Sequence, residues 1–244
     1  MATDMQLYFI RHGQSENNAL WEQTGSSAGR DQDPMLTGAG RKQAEAVARY
    51  LRGDGPPCAA GGSEGQDGEA VGITHLYTSL MVRSVGTGEI IARALGLPLV
   101  AWVDLHEGGG IYLDDEETGE RVGLPGNNRA YFEAHHPGLV LPEDLGVEGW
   151  WNRPFEEREE RVPRAQRFLR DLLARHGQGT DRVAVVSHGA FFNYLIAAVL
   201  GLPSREGFWF AMNNGAISRF DFDERGVGIV YVNHVGFMPK ELIT

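Results

Sequence analysis

Two short segments of the sequence place a histidine at the same kind of position. His12 follows the apolar run QLYFI, His188 follows VAVVS, and each is succeeded by a glycine and a helical pattern. Arg83 lies just beyond a third run, HLYTS, and Glu107 lies just past an extended run that ends at Leu105. The C-terminal ends of parallel strands gather at one edge of an α/β sheet, where ligands bind. We therefore expect these four reactive side chains to converge.

The residue types at these positions suit phosphoryl transfer. A neutral imidazole can attack phosphorus and hold the group covalently, so His12 is expected to become a phosphohistidine. The arginine fork matches phosphate oxygens, and the free N–H groups at a helix N-terminus attract anions. A carboxylic acid such as Glu107 can protonate a leaving alkoxide and later deprotonate water. Each residue taken alone is more often structural, so only the joint pattern favours catalysis.

The elements that must position these residues alternate between strand and helix. Ser15 is expected to cap a first helix, and a second helix is expected to begin at Thr37. Later helices are predicted over SVGTGEIIARAL, over residues 154–176 and over AFFNYLIAAVL, and a final hairpin joins AISRFDF to VGIVYVNHV. This alternation predicts an α/β fold: a three-layer α/β/α sandwich with a mostly parallel central sheet.

The length of 244 residues favours one domain over residues 1–244. Residues 53–72 are rich in glycine and have no periodic apolar face, so we expect a flexible surface loop there. Residues 108–154 contain many Gly and Pro residues, an acidic run at 114–117 and several aromatic residues. We interpret this stretch as an insertion or cap that covers a site.

Composition excludes several classes of protein. The net charge of −11 disfavours nucleic-acid binding, which needs a basic face. No apolar run approaches the length of a membrane span, and no secretory signal is expected. The single cysteine, Cys58, excludes an internal disulfide and favours a cytoplasmic location; its loop-like surroundings argue against a nucleophile.

Five stretches of the sequence resemble the histidine phosphatase superfamily, also called the phosphoglycerate mutase-like family. They occur in the family's order along nearly the whole chain: RHGQSENN, DPMLTGAGRKQA, YTSLMVRSVGTGEIIA, LHEGGG and VVSHGAFFNYLI. The first and last stretches are specific to the family, and LHEGGG is the least specific of the five. The resemblance implies the phosphoglycerate mutase-like fold.

The resemblance also implies a role for each matching residue. His12 would be the nucleophile that becomes phosphorylated, and Arg11 and Arg83 would clamp the phosphoryl oxygens. His188 would complete the pocket and stabilise the charge of the transition state. Glu107 would be the general acid and base. Rate should then fall on both sides of a mildly acidic to neutral optimum, because His12 must be neutral and Glu107 protonated in the first step.

Further binding positions follow from the same resemblance. Asn18 would reach the phosphate or orient His12, and Gly189, Thr24 and Gly25 would belong to the substrate-binding surface. The family's chemistry needs no metal, and we expect no metal and no cofactor. The adjacent pair His135-His136 is interpreted as a loop pair, because neighbouring side chains point in different directions.

Two departures from the family's mutases favour a phosphatase. The acid is followed by Gly108-Gly109-Gly110, without the Arg and His of the mutases' Glu-Arg-His-Tyr-Gly stretch, and residues 24–30 lack their Gly-Trp stretch. Gly86 also stands where the family usually has Gln, which lowers helix propensity locally. The sequence thus predicts a metal-independent phosphomonoester phosphatase. A phosphoglycerate mutase and an inactive phospho-ligand binding module are the alternatives.

The expected partner is a small phosphorylated metabolite. We expect no binding to nucleic acid or membrane, and a homodimer is compatible with the sequence.

Three arginines are candidates for additional contacts with an anion: Arg30, Arg129 and Arg153. Three aromatic residues have two interpretations: they form a wall of the pocket, or they pack the 108–154 stretch onto the core. Packing is the favoured interpretation for Trp150 and Trp151, and Tyr112 has the same two interpretations.

Overall fold

A computed structural model describes residues 4–54, 69–115 and 117–244 of the chain. The strands are β1 (Met5–Arg11), β2 (His75–Thr78), β3 (Leu99–Ala101), β4 (Tyr112–Asp114), β5 (Arg121–Gly123), β6 (Leu139–Val140), β7 (Arg182–Ser187), β8 (Ile217–Asp223) and β9 (Gly226–His234). The α-helices are α1 (Glu16–Thr24), α2 (Gly38–Arg52), α3 (Val82–Leu95), α4 (Arg129–His135), α5 (Arg158–His176) and α6 (Gly189–Val199). Cys58 and most of the predicted loop at 53–72 lie outside the described residues.

Seven strands form the central sheet in the order β6-β3-β2-β7-β1-β8-β9. The first five are parallel to one another, β8 is antiparallel to β1, and β9 completes a hairpin with β8. β1 and β7 at the centre are almost wholly buried, which explains their continuous apolar runs. The predicted parallel sheet and its antiparallel end hairpin are confirmed.

Helices cover both faces of the sheet. One apolar layer joins the sheet to α2 and α3 through side chains such as Val47 and Val85. The other joins it to α5 and α6 through side chains such as Phe168 and Phe192. The predicted three-layer α/β/α sandwich is therefore confirmed, and it leaves the C-terminal strand ends free at one edge.

The first two helices begin where the sequence predicts. The side chain of Ser15 accepts from the backbone N–H of Asn18, whose own side chain accepts from the Ser15 backbone N–H, so the two form a capping box. Thr37 caps α2 by accepting from the N–H of Gly40. These caps fix the start of α1 and α2 beside the end of β1.

The extended run predicted to reach Leu105 is shorter in the structure. Strand β3 ends at Ala101, and Val103–Leu105 form one turn of 3₁₀-helix. The last ladder bond runs from the N–H of Trp102 to the carbonyl of Thr78, the final residue of β2. Since β2 ends there, β3 has no further partner on that side among the described strands, and the chain turns.

The stretch 108–154 does not stand wholly apart from the core. It contains the β4–β5 hairpin, α4 and β6, and β6 adds to the edge of the main sheet beside β3. Phe132 on α4 is fully buried in the main core. Of the helices in the described ranges, none is both long and apolar enough to cross a membrane.

Candidate functional site

A cavity of about 300 Å³ opens at the C-terminal edge of the sheet. Its walls include Arg11, His12, Arg83 and Glu107. The ring of His188 lies beside that of His12, with the two centroids 4.9 Å apart. The structure therefore brings together the five residues for which the sequence predicts roles in the reaction.

Hydrogen bonds orient the ring of His12. Its Nδ1 lies 2.7 Å from the carbonyl oxygen of Gly13, which can only accept, so Nδ1 carries the proton. Its Nε2 accepts a 3.2 Å hydrogen bond from Nε of Arg83. Burial, together with the positive charges of Arg83 and Arg11, holds the pKa of His12 well below its usual range. The ring is thus neutral, with a lone pair on Nε2.

Gly13 has a packing role: the absence of a side chain lets the start of α2 approach the turn after His12. A Cβ on Gly13 would lie 2.3 Å from the carbonyl oxygen of Gly40, and one on Gly40 would lie 2.2 Å from that of Gln14. The two backbones meet without side chains, which holds the turn after His12 against the start of α2.

His188 is held from one side and unpartnered on the other. Its Nε2 lies 2.9 Å from Oγ of Ser79 and 3.2 Å from Oγ of Ser84. Its buried Nδ1 has no hydrogen-bond partner among the described residues. Burial and then the charge of Arg83 keep the pKa of His188 well below its usual range. With the hydroxyls donating to Nε2, the proton of the neutral ring is on Nδ1.

Arg11 offers a second unused donor. One terminal nitrogen donates to the carbonyl of Met212, which anchors the guanidinium. Its buried Nε has no partner within the described part of the chain. Buried donors are almost always paired, so an unpaired N–H beside a cavity indicates a place for an acceptor oxygen.

Glu107 lies at the N-terminus of α6. Its Oε1 accepts from the N–H groups of Gly108 at 2.8 Å and Phe191 at 3.1 Å. Its Oε2 accepts one longer bond, 3.3 Å, from the N–H of Ala190. Oε2 is therefore the oxygen that exchanges its partner more easily.

A buried ion pair supports the loop that carries Glu107. The side chain of Arg164 is 2% exposed and bonds both carboxylate oxygens of Glu156, at 2.5 and 2.9 Å. Arg164 also donates to the carbonyls of Asp104 and His106, and Glu156 accepts from the N–H of Gly109. Residues on both sides of Glu107 are thus tied to α5.

The sequence analysis missed Asp33. Its carboxylate accepts from the N–H of Val82, lies 3.6 Å from a terminal nitrogen of Arg83 and accepts from the amide of Asn127. Burial raises its pKa to about 7, although the charge of Arg83 opposes this rise. Asp33 therefore joins the arginine beside His12 to the 108–154 stretch. The stretch DPMLTGAGRKQA includes this acid, but its spacing from the other residues in the sequence does not distinguish it from a surface residue.

The predicted binding positions differ in how closely they approach the cavity. Asn18 lines it, and Asn214 donates both to its side-chain oxygen and to the backbone carbonyl of His12, each at 3.1 Å. Gly189 begins α6, and a Cβ there would come within 3.6 Å of Arg11. Thr24 and Gly25 end α1 in solvent, where the Thr24 hydroxyl bonds backbone oxygens; Ser26 and Ser27 line the cavity in their place.

Of the three arginines considered for extra anion contacts, Arg30 lines the cavity. Its guanidinium lies over the ring of Tyr112, 4.2 Å from the centroid, so Tyr112 is also in the wall. Arg121, which the sequence analysis did not single out, lines it as well. Arg129 instead donates to the carbonyl of Pro142.

Arg153 and the two tryptophans belong to another part of the molecule. Arg153 lies over the ring of Trp151 and borders a separate cavity. Trp150 and Trp151 are buried against His106, so the packing interpretation describes them. The loop interpretation of the histidine pair is wrong for His135, which is the last residue of α4. His136 follows the helix, and its Nδ1 lies 3.0 Å from Glu89.

Comparison with known proteins identifies relatives that match most of the chain. The family model of the histidine phosphatase superfamily (branch 1) matches residues 7–60 and 65–235. A probable phosphoglycerate mutase GpmB from Klebsiella pneumoniae (strain 342) is 28% identical over 228 residues, which cover 90% of this chain and 86% of the relative. A protein of the same name from Escherichia coli O1:K1 / APEC is 29% identical over 223 residues, with the same coverage.

Solved structures share the fold. A mutant phosphoserine phosphatase from Entamoeba histolytica in complex with phosphoserine aligns with a TM-score of 0.57 at 19% identity, covering 96% of this chain and all of that one. A mycobacterial glucosyl-3-phosphoglycerate phosphatase aligns with a TM-score of 0.58 at 21% identity, covering 95% and 100%. Since the family model spans most of the sequence, the chain belongs to branch 1 of the histidine phosphatase superfamily and is an enzyme of the phosphatase or phosphoglycerate mutase type.

Proposed function

We propose that the chain is a metal-independent phosphatase that hydrolyses a small phosphorylated metabolite through a covalent phosphohistidine at His12. The observation that carries this proposal is the state of His12, a neutral buried ring whose unprotonated Nε2 faces Arg83. Buried donors without a partner belong to Arg11, which lines the same cavity, and to His188, whose ring lies beside that of His12. The relatives named as phosphatases and mutases support the same chemistry.

In the first step, Nε2 of His12 attacks phosphorus as the bond from phosphorus to the ester oxygen breaks. Arg83, Nε of Arg11 and Nδ1 of His188 donate to the phosphoryl oxygens, on which negative charge accumulates. For this, Nε of Arg83 exchanges His12 for a phosphoryl oxygen when the substrate binds. Glu107 gives a proton from Oε2 to the leaving alkoxide, which departs as an alcohol.

In the second step, water attacks the phosphohistidine. Glu107, now a carboxylate, takes a proton from this water while the bond between phosphorus and Nε2 breaks. Inorganic phosphate leaves, and His12 returns to its neutral form. The substrate is small in this proposal, because a cavity of about 300 Å³ is at the lower limit of ordinary ligand sites.

A mutase is the second candidate, and the additional arginines of the cavity favour it. Arg30 and Arg121 lie in the wall beyond the residues assigned to the phosphoryl group. They offer positive charge to a second anionic group, which a phosphoglycerate carries and a simple alkyl phosphate lacks. The curated relatives are named as probable phosphoglycerate mutases.

Rapid-quench trapping with labelled substrate tests the chemistry common to both candidates. The wild type should yield an acid-labile phosphohistidine, and His12→Ala should yield none and hydrolyse p-nitrophenyl phosphate at less than about a thousandth of the wild-type rate. Wild-type turnover in His12→Ala would refute the proposal. Tight phosphate binding without turnover in the wild type would instead identify an inactive binding module.

A direct comparison of acceptors separates phosphatase from mutase. The wild type is given 3-phosphoglycerate with and without a bisphosphoglycerate primer, and free phosphate and 2-phosphoglycerate are both measured. Free phosphate in excess of the isomer is the expected result. Primer-dependent isomerisation that exceeds hydrolysis would establish the mutase.

A further inference from the structure

A second group of reactive side chains lies at the other end of the sheet. His75 is the first residue of β2, Asp181 immediately precedes β7, and His176 is the last residue of α5. Since β7 is six residues long and ends at the candidate active site, about 20 Å separates the two groups. We propose that His75, His176 and Asp181 bind one divalent transition metal ion of the zinc class.

The distances match the dimensions of such a site. One ligand atom from each residue lies within 4.8 Å of the other two. Nδ1 of His176 is 2.8 Å from Oδ2 of Asp181, and Nδ1 of His75 is 3.9 Å from Oδ1 of the same carboxylate. Tetrahedral ligands with bonds of about 2.1 Å are about 3.4 Å apart. The two distances fall on either side of that value, so small side-chain rotations would admit an ion.

The surroundings of His176 are those of a metal ligand. Its side chain is 5% exposed, and its Nε2 lies 3.0 Å from the hydroxyl of Tyr77. Ligating histidines usually give their second ring proton to such a partner, which fixes the tautomer and the plane of the ring. In the tautomer that donates Nε2–H to Tyr77, the lone pair of Nδ1 faces Asp181, and a metal ion would bind between the two side chains.

The other two ligands leave an entrance for the ion. The side chains of His75 and Asp181 are 43% and 33% exposed. Thr74 Oγ1 lies 2.9 Å from Nδ1 of His75 and has the carbonyl of Arg182 as a second partner, so the histidine can exchange that contact for a metal bond. Three protein ligands leave one position for water, as in open zinc sites.

The donor set selects the class of ion. Two imidazoles and one carboxylate suit zinc, cobalt and nickel, whereas magnesium and calcium prefer an all-oxygen shell. The ion would connect the end of α5 to the beginnings of β2 and β7. Its role would be to stabilise that end of the sheet, separately from the chemistry proposed at His12.

Metal titration of the wild type and matched variants tests the site. The chain is freed of any polyhistidine tag, stripped with a chelator and titrated with Co²⁺ by visible absorption, then with Zn²⁺ and with Mg²⁺ by calorimetry. We expect one Zn²⁺ or Co²⁺ per chain and no saturable Mg²⁺ binding. His75→Gln should weaken Zn²⁺ binding at least about tenfold. His135→Gln, which removes an exposed histidine elsewhere, should leave the affinity unchanged.

Two results would overturn the assignment. The first is a wild type that binds no Zn²⁺ saturably, which would make His176 and Asp181 a plain ion pair at the end of α5. The second is His75→Gln binding Zn²⁺ as the wild type does, which would place the ion elsewhere, for instance between His12 and His188. Thermal melting gives an independent readout: Zn²⁺ should raise the Tm of the wild type and of His135→Gln but not that of His75→Gln.

Discussion

Asp33→Asn should change how the stability of the chain depends on pH. Burial raises the pKa of Asp33 from 3.8 to about 7 in the folded state. The folded chain therefore holds this proton more tightly than the unfolded chain does. The resulting stabilisation is complete below about pH 4 and is lost as the pH rises through about 7. The asparagine variant carries no such proton and should lose this dependence.

The size of the effect follows from the two pKa values. Each pKa unit corresponds to about 1.4 kcal/mol, and a carboxyl with these values stabilises the fold by roughly 2.5 kcal/mol more at pH 5 than at pH 8. The side chain is 6% exposed, so solvent screens little of this. Asparagine retains an oxygen for the N–H of Val82, and the amide of Asn127 can rotate to present its own oxygen.

Urea denaturation at about pH 5 and about pH 8 measures the difference. The free energy of unfolding of the wild type, minus that of Asp33→Asn, should be about 2.5 kcal/mol larger at the lower pH. Taking this difference removes the contributions of the buried histidines, whose lowered pKa values act in the opposite direction in both proteins. Asp144→Asn replaces an exposed acid and is the control: its free energy of unfolding should change with pH as that of the wild type does. An equal difference at both pH values would refute the reasoning.

Three further variants, one of them a double substitution, and one control test the remaining parts of the site. Glu107→Gln should slow hydrolysis of an alkyl phosphate about 10²- to 10⁴-fold and of p-nitrophenyl phosphate much less, because nitrophenolate leaves without a proton; equal losses would exclude the acid role. Glu156→Ala should lower the free energy of unfolding by about 3–5 kcal/mol, because it leaves the charge of Arg164 buried without an ion-pair partner. The control Arg167→Ala breaks the half-exposed pair with Asp104 and should lower it by less than about 1 kcal/mol. Similar losses for the two variants in chemical denaturation would contradict the buried network. Replacing both Ser79 and Ser84 with alanine should release Nε2 of His188 and lower kcat about tenfold with little change in KM, and a wild-type kcat would show that these hydroxyls do not position the ring.

Local sequence patterns were sufficient to predict much of the site. The turns after β1 and β7 each combine an apolar run, a histidine and a glycine, and the caps at Ser15 and Thr37 depend on residues a few positions away. Such features are determined by neighbours in the chain, so a single sequence reveals them. The convergence of His12, His188, Arg83 and Glu107 then follows from the geometry of a parallel sheet.

Other features depend on distant parts of the chain. Asp33 is an acid in a loop until α3 and Asn127 pack against it, and that burial is the largest cause of its raised pKa. Glu156 and Arg164 resemble the solvent face of a helix in the sequence, yet both are buried beneath the Glu107 loop. The end of β3 is set by the length of β2. None of these contacts leaves a periodic signal.

The contact between Gly13 and Gly40 has a consequence for how the protein would respond to random mutation. Any side chain at either position would overlap a backbone oxygen of the other segment, and a backbone, unlike a flexible side chain, has no rotamer by which to make room. A screen that scores only loss of activity would therefore rank Gly40 with the nucleophile itself, although Gly40 has no functional group that could react. Intolerance to substitution at Gly40 reflects the close contact between two backbone segments and does not identify a catalytic residue.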